Sequence, residues 1–177
     1  MADQRVIENK FNAVLDGDAL KNALDFAAFL HANNLSPDCH ESGHGWSIMR
    51  ADESIGFISV NVEDQITGPW TIWFNSCDFN DFSDFSDFDD FDDFGDLGDL
   101  NGGALTSVEV KESAWAHSSI CGNFASGGKD CGCGDQPGFH RVIFGREFEN
   151  RCHSPLMFKN PDAKTLAHVK TLMLMLK

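Results

Sequence analysis

A tract of Asp-Phe triplets between residues 78 and 101 limits most strongly what this chain can fold into. Phe or Leu recurs at every third position, from residue 79 to residue 100. A period of three matches neither the 3.6 residues per turn of an α-helix nor the two-residue alternation of a β-strand. Asp is also a poor former of the interiors of both elements. We therefore predict a low-complexity insertion that forms a disordered surface loop, and a fold made by the other 153 of the 177 residues.

The same tract contributes most of the net negative charge. The chain has 28 acidic and 13 basic residues, a formal net charge of −15, and ten of the acids are Asp in the tract. Such a surface repels phosphate backbones and anionic lipid, so nucleic acid and membranes are not expected partners. An acidic interaction segment and a calcium site are alternative functions of the tract. The EF-hand pattern fails, because Phe94 stands where an oxygen ligand is needed.

The rest of the chain predicts one α+β domain in the cytoplasm, with no signal segment and no membrane span. Its first half predicts a helix packed on a three-stranded antiparallel meander. Apolar residues at helical spacing indicate the helix, and alternating apolar residues indicate the strands. The helix is predicted over residues 16–34, a polar loop over 38–45, and the strands over 46–50, 55–62 and 70–75.

The second half predicts a Cys/Gly-rich lobe and a C-terminal helix. Thr106 and Glu109 have the spacing of a capping box and predict a short helix over 106–117. An irregular loop over 121–136 and a short strand over 141–144 follow. Asn160 is the predicted N-cap of the last helix. The buried side of that helix is predicted to comprise Leu166, Val169, Met173 and Leu176.

Four of the six cysteines lie within 32 residues and predict a metal site. In a reducing compartment, clustered cysteines favour metal or redox chemistry over disulfides. Four thiolates form the preferred closed site of structural zinc, and neighbouring glycines allow the backbone to turn around a small ion. The leading hypothesis is a non-enzymatic protein with a structural zinc ion held by Cys121, Cys131, Cys133 and Cys152.

Several alternatives to this site remain open. His117 or His153 could replace one of the cysteine ligands. The thiols could stay free of metal, or the Cys-Gly-Cys pair at 131–133 could serve a thiol redox protein. A second set of metal-ligand residue types is interpreted as a polar loop with a small buried cysteine; it comprises Cys39, His40, His44 and Cys77.

The aromatic residues of the third strand suggest a different function. Trp70 and Trp73 fall on opposite faces, so helices that cover Trp70 leave Trp73 on the other face with Phe57. Such an aromatic surface attracts a hydrophobic cation through its ring faces. The second hypothesis is therefore a small-molecule binding or regulatory module that uses Trp73 and Phe57. The alternative is that these aromatics belong to the core.

Four motifs resemble a group of small cysteine-rich proteins of anaerobic Firmicutes that are described as domains of unknown function. They are Gly-Pro-Trp-Thr-Ile-Trp (68–73), Cys-Gly-Cys-Gly (131–134), Ile-Phe-Gly-Arg-Glu-Phe-Glu-Asn-Arg-Cys (143–152) and Asn-Pro-Asp-Ala-Lys-Thr-Leu (160–166). The resemblance covers residues 16–76 and 106–177. It implies an α+β domain whose cysteines 121, 131, 133 and 152 act together, and it implies no activity.

Overall fold

A computed structural model describes residues 2–40, 45–60, 69–75, 107–121 and 138–176. The Asp-Phe tract, and with it the predicted surface loop, lies outside these residues. The described helices are α1 (Ala2–Val14), α2 (Gly17–Ala32), α3 (Val108–Ala116) and α4 (Ala163–Met175). The described strands are β1 (Leu35–Cys39), β2 (Gly45–Arg50), β3 (Glu53–Val60), β4 (Trp70–Phe74), β5 (Ser118–Ile120), β6 (Phe139–Ile143) and β7 (Arg146–Lys159).

The strands form one antiparallel sheet in the order β1-β2-β3-β4-β7-β5, and β6 pairs with β7. The predicted α+β class is confirmed. The predicted meander corresponds to β2, β3 and β4, which form the middle of a seven-stranded sheet. Because β4 pairs with β7, the C-terminal half of the chain extends the sheet of the N-terminal half.

Alternation along β4 sorts its side chains between the two faces of the sheet. Trp70, Ile72 and Phe74 are fully buried on the face that packs against the helices. The ring of Trp70 meets Phe11 of α1 edge-on at 5.9 Å and lies 6.2 Å from Phe26 of α2. Trp70 therefore anchors both N-terminal helices to the centre of the sheet.

Helix α4 is attached to α2 at its start and to the sheet at its end. All four residues predicted for its buried side are buried. At its start, the side-chain amide of Asn22 in α2 donates to the carbonyl of Pro161 at 3.1 Å. At its end, the guanidinium of Arg50 in β2 donates to the carbonyls of Met173 and Leu176. A cation there also complements the negative C-terminal end of the helix dipole.

Among the elements that differ from their predictions, three have weak sequence patterns. Helix α1 was not predicted, since its buried residues form only a narrow stripe every fourth position. Strand β1 occupies part of the predicted loop at 38–45, and Pro37 is tolerated there because β1 is an edge strand. Strand β7 runs for 14 residues and includes Pro155, which hides the alternation expected of a strand.

Two predicted helix caps are wrong. Asn160 adopts a left-handed backbone conformation with φ of 40°, and Asp162 is the N-cap of α4 instead. Helix α3 is capped by Ser107, whose side chain accepts from the backbone N–H of Val110 at 3.3 Å.

Within the described ranges, no helix has both the length and the apolar character needed to cross a membrane.

The Asp162 cap predicts a pH-dependent contribution to stability. The backbone N–H of Thr165 donates to Oδ1 of Asp162 at 2.7 Å and holds the pKa of this carboxyl below its usual 3.8. A pKa that is lower in the folded state stabilises the fold above pH 3.8, and the contribution is lost as pH falls through the folded value. We expect Asp162→Ala to lower the free energy of unfolding by about 1 kcal/mol in urea denaturation at pH 7.

Asp162→Asn is the matched control, because its side-chain oxygen still accepts the hydrogen bond but cannot titrate. It should keep most of the stability and lose only the contribution of this carboxyl to the pH dependence below pH 3.8. An Asp162→Ala variant as stable as the wild type at pH 7 would show that the cap contributes nothing.

Candidate functional site

The two aromatic residues singled out in the sequence lie side by side on the face of the sheet opposite Trp70. We call it the cavity face. Phe57 of β3 and Trp73 of β4 are directly opposite each other in the register, with ring centroids 5.6 Å apart and planes inclined by 44°. His40, just after β1, meets Phe57 edge-on at 5.0 Å. Phe57 and Trp73 are half-buried, so part of each ring stays available to a ligand.

These rings line a cavity of about 460 Å³. That volume lies in the range that small organic ligands occupy, about 300–1,000 Å³. Residues from β2, β3, β4 and β7 contribute to it, so the cavity depends on the pairing of β4 with β7. The described lining residues are His40, Ser47, Ser54, Phe57, Trp73, Asn75, Cys152 and Ser154.

Neutral polar groups surround the aromatic pair. His40 Nε2 and Ser47 Oγ lie 2.9 Å apart in a hydrogen bond. The side-chain amide of Asn75 donates to the carbonyl of Ser54 at 2.8 Å and to its hydroxyl at 2.9 Å. Among the described lining residues there is no Asp, Glu, Lys or Arg. The site therefore offers ring faces, hydroxyls, an amide, an imidazole and one thiol, with no permanently charged group among the described side chains.

Gly45 determines where the Phe57 ring can lie. It is the first residue of β2 and pairs with Ser59, so it lies diagonally across from Phe57. A Cβ atom at position 45 would overlap the Phe57 ring. The absence of a side chain at Gly45 thus allows the ring to lean over the start of β2, towards His40.

The structure describes two of the four predicted zinc ligands. Cys121 is buried directly after β5, and its N–H donates to the carbonyl of Asn150 at 2.8 Å. Cys152 is half-buried in β7 and lines the cavity. Cys131 and Cys133 lie outside the described residues. Where the chain is described, no group of three or more His, Cys, Asp or Glu side chains could hold a metal ion.

The alternative ligands from the sequence have other contacts. His117 stacks on Phe158 with ring centroids 4.5 Å apart, and its Nδ1 lies 2.8 Å from the carbonyl of Ser113. His153 meets Phe139 edge-on at 5.8 Å. Cys39 is exposed, so the interpretation of a small buried cysteine is wrong for this residue. His44 and Cys77 lie outside the described residues.

A second polar cluster lies where β6 pairs with β7. Arg146 and Arg151 lie over the ring of Phe148 at 5.2 and 4.8 Å, and Arg141 lies over Phe139 at 4.9 Å. Burial, and secondly the charge of Arg146, lower the pKa of Arg151 below its ordinary value. Arg151 retains its charge at neutral pH, because an arginine pKa lies far above 7.

The sequence predicted the aromatic pair but not most of the polar residues that line the cavity. Apolar residues alternate along the two strands, and this alternation predicted that Trp73 and Phe57 lie on the same face of the sheet. Cys152 and Ser154 enter the cavity through the β4–β7 pairing, which joins segments about 80 residues apart. His40 and Cys152 were singled out in the sequence, but as candidate metal ligands and not as lining residues of this cavity.

Comparisons with known proteins add no relative, since no family model, no curated protein and no solved structure matched this chain. The resemblance to cysteine-rich proteins of unknown function therefore stays an expectation from four sequence motifs.

The packing of Phe57 over Gly45 gives a direct test of the cavity's geometry. Gly45→Ala should lower the free energy of unfolding in urea by about 1–3 kcal/mol, because the new methyl group displaces the ring. In the double variant Gly45→Ala/Phe57→Leu the conflict is relieved, so the two effects should not add. Strictly additive losses would show that the ring does not lie over Gly45.

Proposed function

We propose that the protein binds a small organic cation with an apolar body in the cavity that Phe57 and Trp73 line. The observation that carries this proposal is the pair of half-buried rings, 5.6 Å apart, at a cavity of about 460 Å³. A flat aromatic pair on a sheet surface exposes apolar area to water, and a ligand that covers it removes that area from solvent.

Three features favour a cation over an anion or a neutral ligand. The faces of Trp and Phe rings carry negative partial charge and attract an ammonium group. No Lys or Arg is found among the described lining residues, so no permanent positive charge there attracts an anion. The formal net charge of −15 also raises the local concentration of cations at low ionic strength.

The polar lining favours a ligand with one or two hydrogen-bonding groups. The hydroxyls of Ser47 and Ser54 already have protein partners, but each oxygen has lone pairs left to accept a further bond. Cys152 and Ser154, from β7, lie on the side of the cavity that the C-terminal half of the chain supplies.

Trp73→Leu tests the proposal. We expect benzyltrimethylammonium to bind the wild type saturably in a calorimetric titration, and Trp73→Leu to weaken binding about tenfold, since a desolvated cation–π contact contributes about 1–2 kcal/mol. Phe29→Leu is the matched control, because Phe29 is a half-buried ring in the helical layer, where it stacks on Phe26. It should leave binding unchanged.

The role of the positive charge has its own comparison. The alcohol 2-methyl-1-phenylpropan-2-ol is nearly the same shape as benzyltrimethylammonium but is neutral, so it should bind more weakly. Equal affinity of the two compounds would show that the cavity is an apolar site that does not select for cations. No saturable binding of either compound would overturn the proposed function.

A second candidate function is a structural zinc site, and the path of the chain around Cys121 favours it. A Cβ atom at Gly138 would lie 2.9 Å from the Cβ of Cys121, so these two residues, which flank residues 122–137 in the sequence, are in contact. This segment contains Cys131 and Cys133. Cys152 lies two residues from Asn150, which accepts the bond from Cys121. The contact between Cys121 and Gly138, close to Asn150 and Cys152, supports the proposal of a Cys₄ zinc site.

Metal content of the purified protein tests the zinc site. We expect about one zinc ion per chain in the wild type and a large loss of zinc in Cys152→Ser, because three thiolates hold the ion less tightly than four. Cys39→Ser is the control, since Cys39 is exposed on β1 and outside the predicted site. A Cys152→Ser variant that retains zinc as firmly as Cys39→Ser would exclude Cys152 as a ligand.

A further inference from the structure

Strands β6 and β7 separate charges of opposite sign onto their two faces. His140 lies 3.9 Å from both Glu147 and Glu149, whose side chains are exposed on one face. The other face carries Phe148 with Arg146 and Arg151 over its ring, and Arg141 is the residue directly opposite Phe148 in the register. We call Arg141, Arg146, Arg151 and Phe148 the arginine face.

The positive charges of the arginine face lack a counterion in the described structure. The ion pairs between described residues involve lysine and histidine, and none includes Arg141, Arg146 or Arg151. Aromatic rings surround the guanidinium groups, and Arg146 also lies 5.5 Å from the ring of Trp115 in α3. Arg141 and Arg151 are half-buried, and Arg146 is exposed. The charge of Arg146 lowers the pKa of Arg151, so these like charges cost free energy unless an anion compensates them.

Hydrogen-bond donors in the same region also lack partners. Six buried side-chain atoms have no hydrogen-bond partner in the described part of the chain, and four of them are in β5, β6 and β7. These four are Nε of Arg141, Nε of Arg151, and the hydroxyls of Ser118 and Ser119. Arg151 links the arginines to the serines, because its Nη1 donates to the backbone carbonyl of Ser118 at 2.9 Å. Buried donors are seldom left unsatisfied, since each costs about 1–3 kcal/mol.

We propose that the arginine face is a binding site for an oxyanion, a phosphate or carboxylate group. Guanidinium groups bind both through paired N–H donors. One bound oxyanion would supply the guanidinium groups with a counterion that the described residues do not provide. The site is separate from the cavity, whose described lining contains no arginine.

The oxyanion has two sources, a free small molecule or the chain's own carboxylates. The ten Asp of residues 78–101 lie between β4 and α3, and α3 contributes Trp115 to the surroundings of Arg146. The shared chemistry is the pairing of guanidinium with oxyanion. The two sources can be told apart by comparing the wild type with a full-length variant in which these ten Asp are changed to Asn.

The arginine Nε–Hε signals in ¹H–¹⁵N spectra report the proposed contact directly. Inorganic phosphate, titrated against chloride at equal ionic strength, should shift the Arg141 and Arg151 signals saturably. Arg146→Gln should weaken this binding about tenfold, because a charge-assisted contact is lost. Lys21→Gln removes an exposed positive charge from α2 and should leave the binding unchanged.

Each outcome decides the proposal. Saturable shifts in the wild type support a site for a free oxyanion. Shifts that occur only in the Asp→Asn variant support the same site occupied by the chain's own carboxylates. The absence of saturable shifts in both proteins, or shifts that Arg146→Gln does not weaken, would overturn it.

Discussion

The antiparallel pairing of β4 with β7 is the interaction on which the rest of the structure depends. Thr71–Phe74 pair with Leu156–Lys159 and join the N-terminal meander to the C-terminal lobe in one sheet. On one face, this pairing places Phe74 against Phe158 at 5.7 Å and completes the core below the helices. On the other face, it puts Cys152 and Ser154 at the same cavity as Trp73. Core and cavity are two consequences of one strand register.

Strand β7 serves two partners because its pairing is irregular. From Ser118 to Ile120 a step of two residues in β5 corresponds to five residues in β7, from Leu156 back to Arg151. Cys152 and Ser154 lie within this irregular stretch, which follows Asn150 in a left-handed conformation with φ of 57°. Such interruptions re-aim side chains next to binding sites. The residues N-terminal to the interruption pair with β6 and form the arginine face, so the cavity and the arginine face are separated along one strand.

Local sequence patterns were sufficient for the elements whose apolar residues follow a clear period. The strands at Ile58 and Ile72, the helix containing Phe26, and the buried side of α4 were all predicted on that basis. The same alternation placed Phe57 and Trp73 together. The predictions failed where polar residues or proline interrupt the period, as in β1 and β7, and where two cap residues compete, as at Asn160 and Asp162. The polar half of the cavity depends on a non-local strand pairing, which no local pattern encodes.

The most direct measurement of the central claim is the rate at which individual thiols react with iodoacetamide, read by peptide mass spectrometry on chelator-treated protein. Cys152 lines the cavity, and Cys39 is exposed on β1. If the cavity holds a hydrophobic cation, saturating benzyltrimethylammonium should slow alkylation of Cys152 and leave that of Cys39 unchanged. Equal rates for Cys152 with and without the cation would contradict the account.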